Sequence, residues 1–98
     1  MENKIISLLG LARRAGKAVL GVDHIEKQPR RILVLVAAED VSDRTRRKIE
    51  AFGIEIVWLS LTKKELGAKM GAAEVSAVGI SDPNFANQII LYAKRRSL

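Results

Sequence analysis

The amino-acid sequence predicts an α/β protein, an α/β/α sandwich, from three observations. Apolar runs rich in β-branched residues alternate along the chain with segments whose apolar residues recur at helical spacing. Such alternation implies crossover connections, which place helices on both faces of a parallel or mixed sheet. The 98 residues suffice for one hydrophobic core, and no linker or repeat interrupts them. We therefore expect a single domain spanning residues 1–98.

The first third of the chain predicts a helix, a short strand and a second short helix. Apolar residues from Ile5 to Ala15 fall at helical spacing, and Gly16 follows as a C-terminal stop. Residues 18–20 form a possible strand that ends at a glycine. Asp23 is an acceptable N-cap for a helix that must end before Pro29, because proline disfavours helix in the residue preceding it.

The centre of the chain predicts two buried strands separated by a helix. The run 32–38 is continuously apolar and rich in β-branched residues, which is typical of a strand covered on both faces. Ser42 is expected to cap a helix that runs to Phe52 and stops at Gly53. Residues 54–59 form the second buried strand. The intervening helix turns its basic side chains outward, namely Arg44, Arg47 and Lys48.

The last third predicts two more helices around a strand. Thr62 and Glu65 form a capping box, and residues 75–80 form the strand. Asp82 followed by proline at the first helical position opens a last helix that runs to about Arg96. A platform for stacking single-stranded bases needs several exposed rings. In this chain all aromatic residues fall within apolar patterns, so we expect them in the core: Phe52, Trp58, Phe85 and Tyr92.

Composition indicates a protein with an anionic partner. The net charge is +6, which by itself also fits a protein kept soluble by its charge. Residues 1–31 carry seven bases and three acids, and this clustering favours an anionic partner. The absence of cysteine removes disulfides, zinc–thiolate sites and thiol nucleophiles. No apolar run approaches the roughly 20 residues that cross a bilayer, and no signal peptide is recognisable, so we expect a cytoplasmic protein without membrane contact.

Residues for catalysis are scarce. His24 is the single histidine, and Glu39 with Asp40 is the best acidic pair. Adjacent residues of a strand point to opposite faces, so a structural role for Asp40 near the N-terminus of the following helix is favoured. The early glycines lack the spacing of phosphate-binding loops. An enzyme using His24 with either acid is therefore disfavoured, and we expect no metal, cofactor or small-molecule substrate.

The segment from Gly16 to Lys27 suits backbone contact with a phosphate. Gly21 allows the backbone to approach a ligand closely, and residues 22–24 present amide groups at a helix N-terminus. Lys27 lies one helical turn further on, where its ammonium can reach the same anion. An ordinary loop with a capped helix explains the same spacing, so the pattern alone leaves both interpretations open. Two more basic residues precede Gly21, namely Arg14 and Lys17.

Several short segments match a known family in order and spacing. They are Leu8 to Lys17, Gly21 with Lys27 six residues later, Ala38 to Val41, and Lys64 to Gly67 followed by Gly71. Together they resemble the ribosomal L-seven-Ae and L-thirty-e family of kink-turn RNA-binding proteins, especially its small bacterial members. The resemblance covers nearly the whole chain.

The resemblance implies a three-layer α/β/α fold around a four-stranded mixed sheet. It also implies binding at a sharp bend in RNA, where two sheared G·A pairs present guanine edges. In the family a Gly-x-Asn-Glu-x-x-Lys segment approaches those pairs, and the loop before the last strand covers bases extruded at the bend. The first element corresponds here to Gly21, Val22, Asp23, His24 and Lys27, and the second to Gly71, Ala72, Ala73, Glu74 and Val75. The expected RNA-binding set is completed by Arg14, Lys17 and Glu39.

Two departures from the family pattern fall on the residues that specify the RNA. Asp23 replaces an asparagine, which removes an amide donor and adds a negative charge, and His24 replaces a glutamate that accepts guanine hydrogens. Gly21 and Lys27 mainly position the RNA. The sequence thus predicts a protein that binds structured RNA, such as ribosomal RNA, with weakened selectivity for a kink-turn. The alternative is a protein-interaction module that kept the fold, lost specific RNA binding, and docks an acidic protein through the same surface or the helix from Arg44 to Lys48.

Overall fold

The computed structural model describes residues 2–96 and shows helices and strands alternating along the chain. A 3₁₀ turn at Pro29–Arg31 connects the second helix to the second strand. The elements are α1 (Glu2–Arg14), β1 (Ala18–Leu20), α2 (Val22–Glu26), β2 (Val34–Ala38), α3 (Asp43–Ala51), β3 (Ile56–Leu59), α4 (Lys63–Lys69), β4 (Ala77–Ile80) and α5 (Pro83–Arg96).

The four strands form one mixed sheet in the order β1-β4-β2-β3. The β2 and β3 strands are parallel, and β4 lies antiparallel to both of its neighbours, β1 and β2. Hence β1, β2 and β3 end where β4 begins, and we call this the site end of the sheet. At the opposite end, the far end, β1 and β2 begin and β4 finishes.

Two apolar clusters lie on the two faces of the sheet. The larger packs α1, α4 and α5 against one face and includes Ile5, Leu66 and Ile89. The smaller packs α2 and α3 against the other face through Ile25 and Ile49. Because hydrophobic side chains are buried on both faces, helices cover the sheet from both sides. The predicted α/β/α sandwich around a four-stranded mixed sheet is confirmed.

Three of the predicted helix starts are confirmed by their capping bonds. The Ser42 hydroxyl accepts a hydrogen bond from the Thr45 amide at 3.1 Å, and the Asp82 carboxylate accepts one from the Phe85 amide at 3.1 Å. Thr62 and Glu65 complete both bonds of a capping box at the start of α4. The Thr62 backbone amide and hydroxyl hold the pKa of the Glu65 carboxyl below its ordinary value of 4.5.

The predicted start of the second helix is wrong. The N-cap of α2 is Gly21 rather than Asp23, and the Gly21 carbonyl accepts the first helical hydrogen bond from the Ile25 amide at 3.0 Å. Gly21 has a φ of 93°, a left-handed conformation that glycine adopts without a steric penalty. The chain therefore turns from β1 directly into the helix, and Asp23 lies within the first turn.

Asp40 stabilises a different helix from the one expected. Its Oδ1 accepts a hydrogen bond from the backbone amide of Lys63 at 2.7 Å, so it lies at the N-terminus of α4 and not at that of α3. The structural role predicted for Asp40 is confirmed, but its partner is distant in sequence. The connection from β2 to α3 is thereby tied to the beginning of α4.

The strands are shorter than their apolar runs. Val75 precedes β4 because its amide donates to the Lys63 carbonyl at 3.0 Å instead of joining the sheet. The β3 strand is not fully buried as predicted, because it is an edge strand on which Ile56 and Trp58 are half-buried. The Arg46 guanidinium covers the Trp58 ring at 4.1 Å from its centroid. The four aromatic side chains are partly buried and pack against the core, as expected.

Within residues 2–96, none of the helices combines the length and apolar character required to cross a membrane.

Candidate nucleic-acid interface

A groove with a volume of about 730 Å³ opens at the site end of the sheet. Its walls come from three stretches of the chain: the turn from β1 into α2, the exposed face of α3, and the segment that enters β4. The backbone amide of Gly21 donates to Ala77 at 2.9 Å, and that of Ala38 donates to Ser76 at 2.9 Å, which ties the first and third stretches to the sheet. The groove is lined by Leu20, Gly21, Val22, Asp23, His24, Arg44, Thr45, Lys48, Ala72, Glu74, Val75 and Ser76.

The first wall presents backbone donors. After Gly21 turns the chain, the amides of Val22, Asp23 and His24 begin α2, and none of them has an acceptor within residues 2–96. The first amides of a helix lack internal partners, and their dipoles favour an anion. All three residues line the groove.

His24 folds back over Gly21 onto the end of β1. Its Nδ1 lies 3.0 Å from the carbonyl oxygen of Leu20. A carbonyl only accepts hydrogen bonds, so Nδ1 must carry the proton in this contact. In the neutral imidazole this tautomer leaves Nε2 as a hydrogen-bond acceptor. His24 is exposed, and it thus brings one fixed acceptor to the rim of the groove.

The second wall is the face of α3 that carries Arg44 and Lys48. The Lys48 ammonium lies 2.8 Å from Glu26 and 3.7 Å from Asp23, both on α2. The hydrogen bond to Glu26, assisted by the charges of Glu26 and Asp23, raises the pKa of the Lys48 ammonium above its ordinary value of 10.5. The negative charge that Asp23 introduces is therefore partly offset within the groove itself.

The sequence predicts that the basic side chains of α3 point outward, but they are not among the expected RNA-binding residues. Arg44 and Lys48 nevertheless line the groove, and Arg47 does not. The available signal was their spacing, because residues four apart lie on one face of a helix. Their position opposite residues 22–24 depends on α2 and α3 packing on the same face of the sheet, which the spacing does not reveal.

The third wall is held rigidly by α4. At the end of that helix, the Gly71 amide donates to Ala68 at 3.3 Å and the Ala72 amide donates to Gly67 at 2.8 Å. Together with a φ of 73° at Gly71, these bonds form a Schellman motif. Gly67 lies directly against the next residues, since a Cβ there would be 2.7 Å from the Ala73 carbonyl oxygen. The loop backbone is consequently fixed at the groove.

The structure brings two predicted RNA-binding elements together. Residues 21–24 line the groove with Ala72, Glu74 and Val75, whereas Gly71 and Ala73 lie just outside it. Gly71 lies next to Arg13, since a Cβ on Gly71 would be 3.1 Å from Nη1 of that arginine. Arg13 is a basic residue that was not among the expected RNA-binding residues.

Four other predicted residues lie outside the lining. Lys27 is exposed and caps the C-terminal end of α2, one turn after Asp23. Glu39 is exposed at the site end, immediately after β2. Arg14 and Lys17 are exposed and precede β1, whereas Gly21 follows this strand. The length of β1 therefore separates these two basic residues from the groove.

Known proteins share this fold at low sequence identity. No protein-family model matches the sequence, and no curated protein matches it either. A solved structure of a protein with unknown function from Bacillus halodurans C is similar with a TM-score of 0.79, covering 93% of this chain and 97% of that chain at 24% identity. The structure of the Giardia lamblia 15.5kD RNA binding protein is similar with a TM-score of 0.72, covering 96% of this chain and 88% of that chain at 15% identity.

These similarities extend over nearly the whole chain and establish its fold. The class defined by the fold and the groove is a small α/β/α domain that presents a cleft at one end of a mixed sheet. An RNA-binding protein is among the solved structures that share this fold.

Proposed function

We propose that the chain is a non-enzymatic RNA-binding protein that binds a sharply bent, structured RNA of the kink-turn type in its groove. The observation that carries the proposal is the convergence of residues 21–24 with Ala72, Glu74 and Val75 on one cleft. The family resemblance assigns these same two segments to RNA, although they are some fifty residues apart. The RNA-binding protein that shares the fold supports the same conclusion.

The chemistry of the first wall suits an RNA backbone beside a base edge. The free amides of residues 22–24 and the ammonium of Lys27 are donors for phosphate oxygens, which fixes the position of the RNA. His24 Nε2 is an acceptor for an amino or imino hydrogen, and guanine offers both. His24 therefore takes over part of the role that a glutamate has in the family, with one acceptor atom in place of two.

The third wall suits bases that have left the helical stack. Ala72 and Val75 offer small and apolar surfaces at the groove, and their loop is fixed by its bonds to α4. Single-stranded bases splayed out at bends are the parts of an RNA that proteins recognise most specifically. A rigid loop of this kind limits the loss of conformational entropy when a base is bound.

Polar side chains of the groove form hydrogen bonds with the backbone and with neighbouring side chains in the described part of the chain. The imidazole of His24 is held by the Leu20 carbonyl, and neither a carboxylate nor a hydroxyl bonds to it. The hydroxyl of Thr45 accepts a hydrogen bond from Ser42. A nucleophile needs an adjacent base that is oriented by a third group, and the groove residues do not assemble that relay.

An NMR titration tests the proposal. Labelled protein is titrated at low ionic strength with a kink-turn RNA and with a plain duplex of the same composition. We expect the amides of residues 21–24 and 72–76 to shift with the kink-turn RNA. Unmoved amides in both segments would refute binding in the groove, and an acidic protein partner would then replace RNA as the ligand to test.

Substitution of Lys27 provides the quantitative arm of this experiment. Lys27→Ala is expected to weaken RNA binding and to lower the slope of log affinity against log salt by about 1, because one phosphate contact is lost. Its stability should change little, since Lys27 is exposed. Lys94→Ala on α5 is the matched control. An affinity for Lys27→Ala equal to that of the control would contradict the proposed contact.

A further inference from the structure

Three of the basic residues outside the groove gather at the far end of the sheet: Lys17, Arg30 and Arg31. We name this cluster the basic end. We propose that the basic end is a second RNA-binding surface, which holds the phosphate backbone of a double-stranded stem of the RNA whose bend lies in the groove. This inference rests on the proposed function and extends it to a second contact.

Backbone hydrogen bonds at the far end of the sheet bring these three basic residues to either side of the end of β4. The Lys17 carbonyl, just before β1, accepts bonds from the Ser81 amide at 3.0 Å and the Ser81 hydroxyl at 3.3 Å, just after β4. On the other side of β4, the Leu33 amide donates to Ile80 at 2.8 Å. Arg30 and Arg31 form the 3₁₀ turn that ends two residues before Leu33. Both arms of the cluster thus flank the end of β4.

The charges of the basic end are not used to hold the fold together. Within residues 2–96 the ion pairs belong to Lys48 and Arg96, and none includes a residue of the cluster. Arg31 bonds to the Gln28 amide oxygen at 3.1 Å, a neutral partner. Asp82 follows Ser81 at this end of the sheet, and its carboxylate accepts a hydrogen bond from the Phe85 amide at the N-terminus of α5. Three exposed like charges repel one another, and a polyanion relieves that repulsion.

The residue types and their distance from the groove indicate which part of the RNA is bound. Lysine and arginine without an exposed aromatic ring suit phosphates, which carry no sequence information. Lys17 and Gly21 are four residues apart along an extended strand, a separation of about 13 Å. An RNA confined to the groove ends before this surface, whereas a stem that continues past the bend reaches it. Lys27 is followed along the chain by the 3₁₀ turn that carries Arg30 and Arg31, so basic residues extend from the end of α2 to the far end of the sheet.

The test compares two RNAs and three variants. One RNA carries the bend with both stems cut short, and the other has both stems extended by about one helical turn. The variant of the basic end is Lys17→Gln/Arg30→Gln/Arg31→Gln. The matched control, Lys4→Gln/Lys94→Gln/Arg95→Gln, removes the same charge from exposed cations of α1 and α5. Lys27→Ala reports on the groove. Circular dichroism verifies that each variant is folded, and affinities are measured over a series of salt concentrations.

The basic-end variant is expected to bind the long RNA about tenfold more weakly than the control, with a salt slope lower by about 2 to 3, since three phosphate contacts are lost. It should bind the short RNA as the control does. Equal affinities of these two variants for the long RNA would overturn the second surface, while a loss with Lys27→Ala would leave the groove in place. Failure of the unmodified protein to bind either RNA would overturn both proposals. A loss in the basic-end variant without one in Lys27→Ala would support the basic end and overturn the proposed phosphate contact of Lys27.

Discussion

Asp23 and Lys48 contact each other and are two of the four acidic and basic residues that line the groove, with Arg44 and Glu74. Asp23 places a carboxylate at a position where the family has a neutral amide, and repulsion between this carboxylate and a phosphate would oppose binding. The Lys48 ammonium lies 3.7 Å away and also bonds to Glu26 at 2.8 Å. One cation therefore offsets two anions, so the outcome depends on whether Lys48 keeps these partners when RNA binds.

Coupling between these two residues follows from their contact. Lys48→Gln is expected to weaken RNA binding more in the parent protein than in the Asp23→Asn variant, because only in the parent does it leave the Asp23 charge exposed. Exposed pairs of this kind are worth about 0.2–1 kcal/mol. The measurement is a double-mutant cycle of RNA affinities at low salt. Strictly additive effects would show that the two side chains act independently on the RNA.

Introducing the residues of the resembled family at positions 23 and 24 tests the proposed recognition of RNA in the groove. Asp23→Asn, with or without His24→Glu, is expected to raise the preference for a kink-turn over a plain duplex. Asparagine regains an amide donor, and a carboxylate at position 24 accepts two guanine hydrogens where His24 Nε2 accepts one. A bidentate base contact in DNA complexes is worth about 1–3 kcal/mol of discrimination. Competition binding with both RNAs measures the ratio, and an unchanged ratio would show that these residues do not face the bases.

Among the elements, the sequence was most informative where the structural signal is local. The caps at Ser42, Thr62 and Asp82 each bond to an amide three residues away, so the pattern of residue types was sufficient to locate them. Asp23 had the same local signal and was misleading. The turn out of β1 requires a positive φ at Gly21, which makes Gly21 the N-cap and moves Asp23 into the helix.

The contact between α4 and the third wall is testable through two glycines in helices. A Cβ on Gly67 would be 2.7 Å from the Ala73 carbonyl oxygen and 2.9 Å from Cα of Glu74, so Gly67→Ala must push the loop away from α4. We expect a loss of about 1–3 kcal/mol in the free energy of unfolding together with weaker RNA binding. Gly10→Ala on α1 is the control, since its Cβ would meet only the far end of Arg14 at 4.0 Å. That substitution should stabilise the protein by about 0.5–1 kcal/mol, and urea denaturation distinguishes the two results.

The capping box of α4 predicts a dependence of stability on acid. Because the pKa of Glu65 is lowered in the folded protein, its contribution is fully present above its ordinary value of 4.5 and is lost as the pH falls through the lowered value. Glu65→Gln keeps an acceptor in the capping box and removes the charge. The parent should be more stable than Glu65→Gln at neutral pH, and this difference should shrink near pH 3. A difference that stays constant with pH would exclude a charge effect.

At the scale of the whole molecule, the sheet decides which residues meet, and sequence distance was a poor guide to this. Lys17 is four residues from Gly21, yet β1 is extended and places them at opposite ends of the sheet. Lys48 is twenty-five residues from Asp23 and contacts it, because α2 and α3 pack on the same face. The order β1-β4-β2-β3 arises from pairing between distant segments. The residue types therefore predicted the layers of the fold and two segments that line the groove, whereas the second wall, with Arg44 and Lys48, and the basic end required the structure.

Both ends of the described chain meet at the edge strand β3. The Glu2 carboxylate accepts hydrogen bonds from the Ser60 amide at 3.1 and 3.3 Å. The Arg96 guanidinium donates to Glu2 at 2.9 Å and also to the carbonyl of Trp58. An exposed edge strand offers unpaired backbone groups to other chains. Glu2 and Arg96 occupy two of these groups and fasten the first and last helices to the sheet.

Arg96→Ala is therefore expected to destabilise the whole domain rather than fray its last helix alone. Arg96 and Glu2 are partly exposed, with 25% and 29% of their side-chain surfaces accessible, so solvent screens the pair and we expect a loss of about 1 kcal/mol in the free energy of unfolding. Arg95→Ala is the control, because the exposed Arg95 guanidinium lies 5.8 Å from the centroid of the Tyr92 ring and forms no ion pair within residues 2–96. Hydrogen exchange distinguishes destabilisation of the domain from fraying of α5. Loss of the Arg96 contacts should speed exchange in β3 and α1 together with α5, since Glu2 and Trp58 both lose a partner. Faster exchange confined to the last turn of α5, with an unfolding free energy equal to that of the control, would show that Arg96 does not join the two ends of the chain to the sheet.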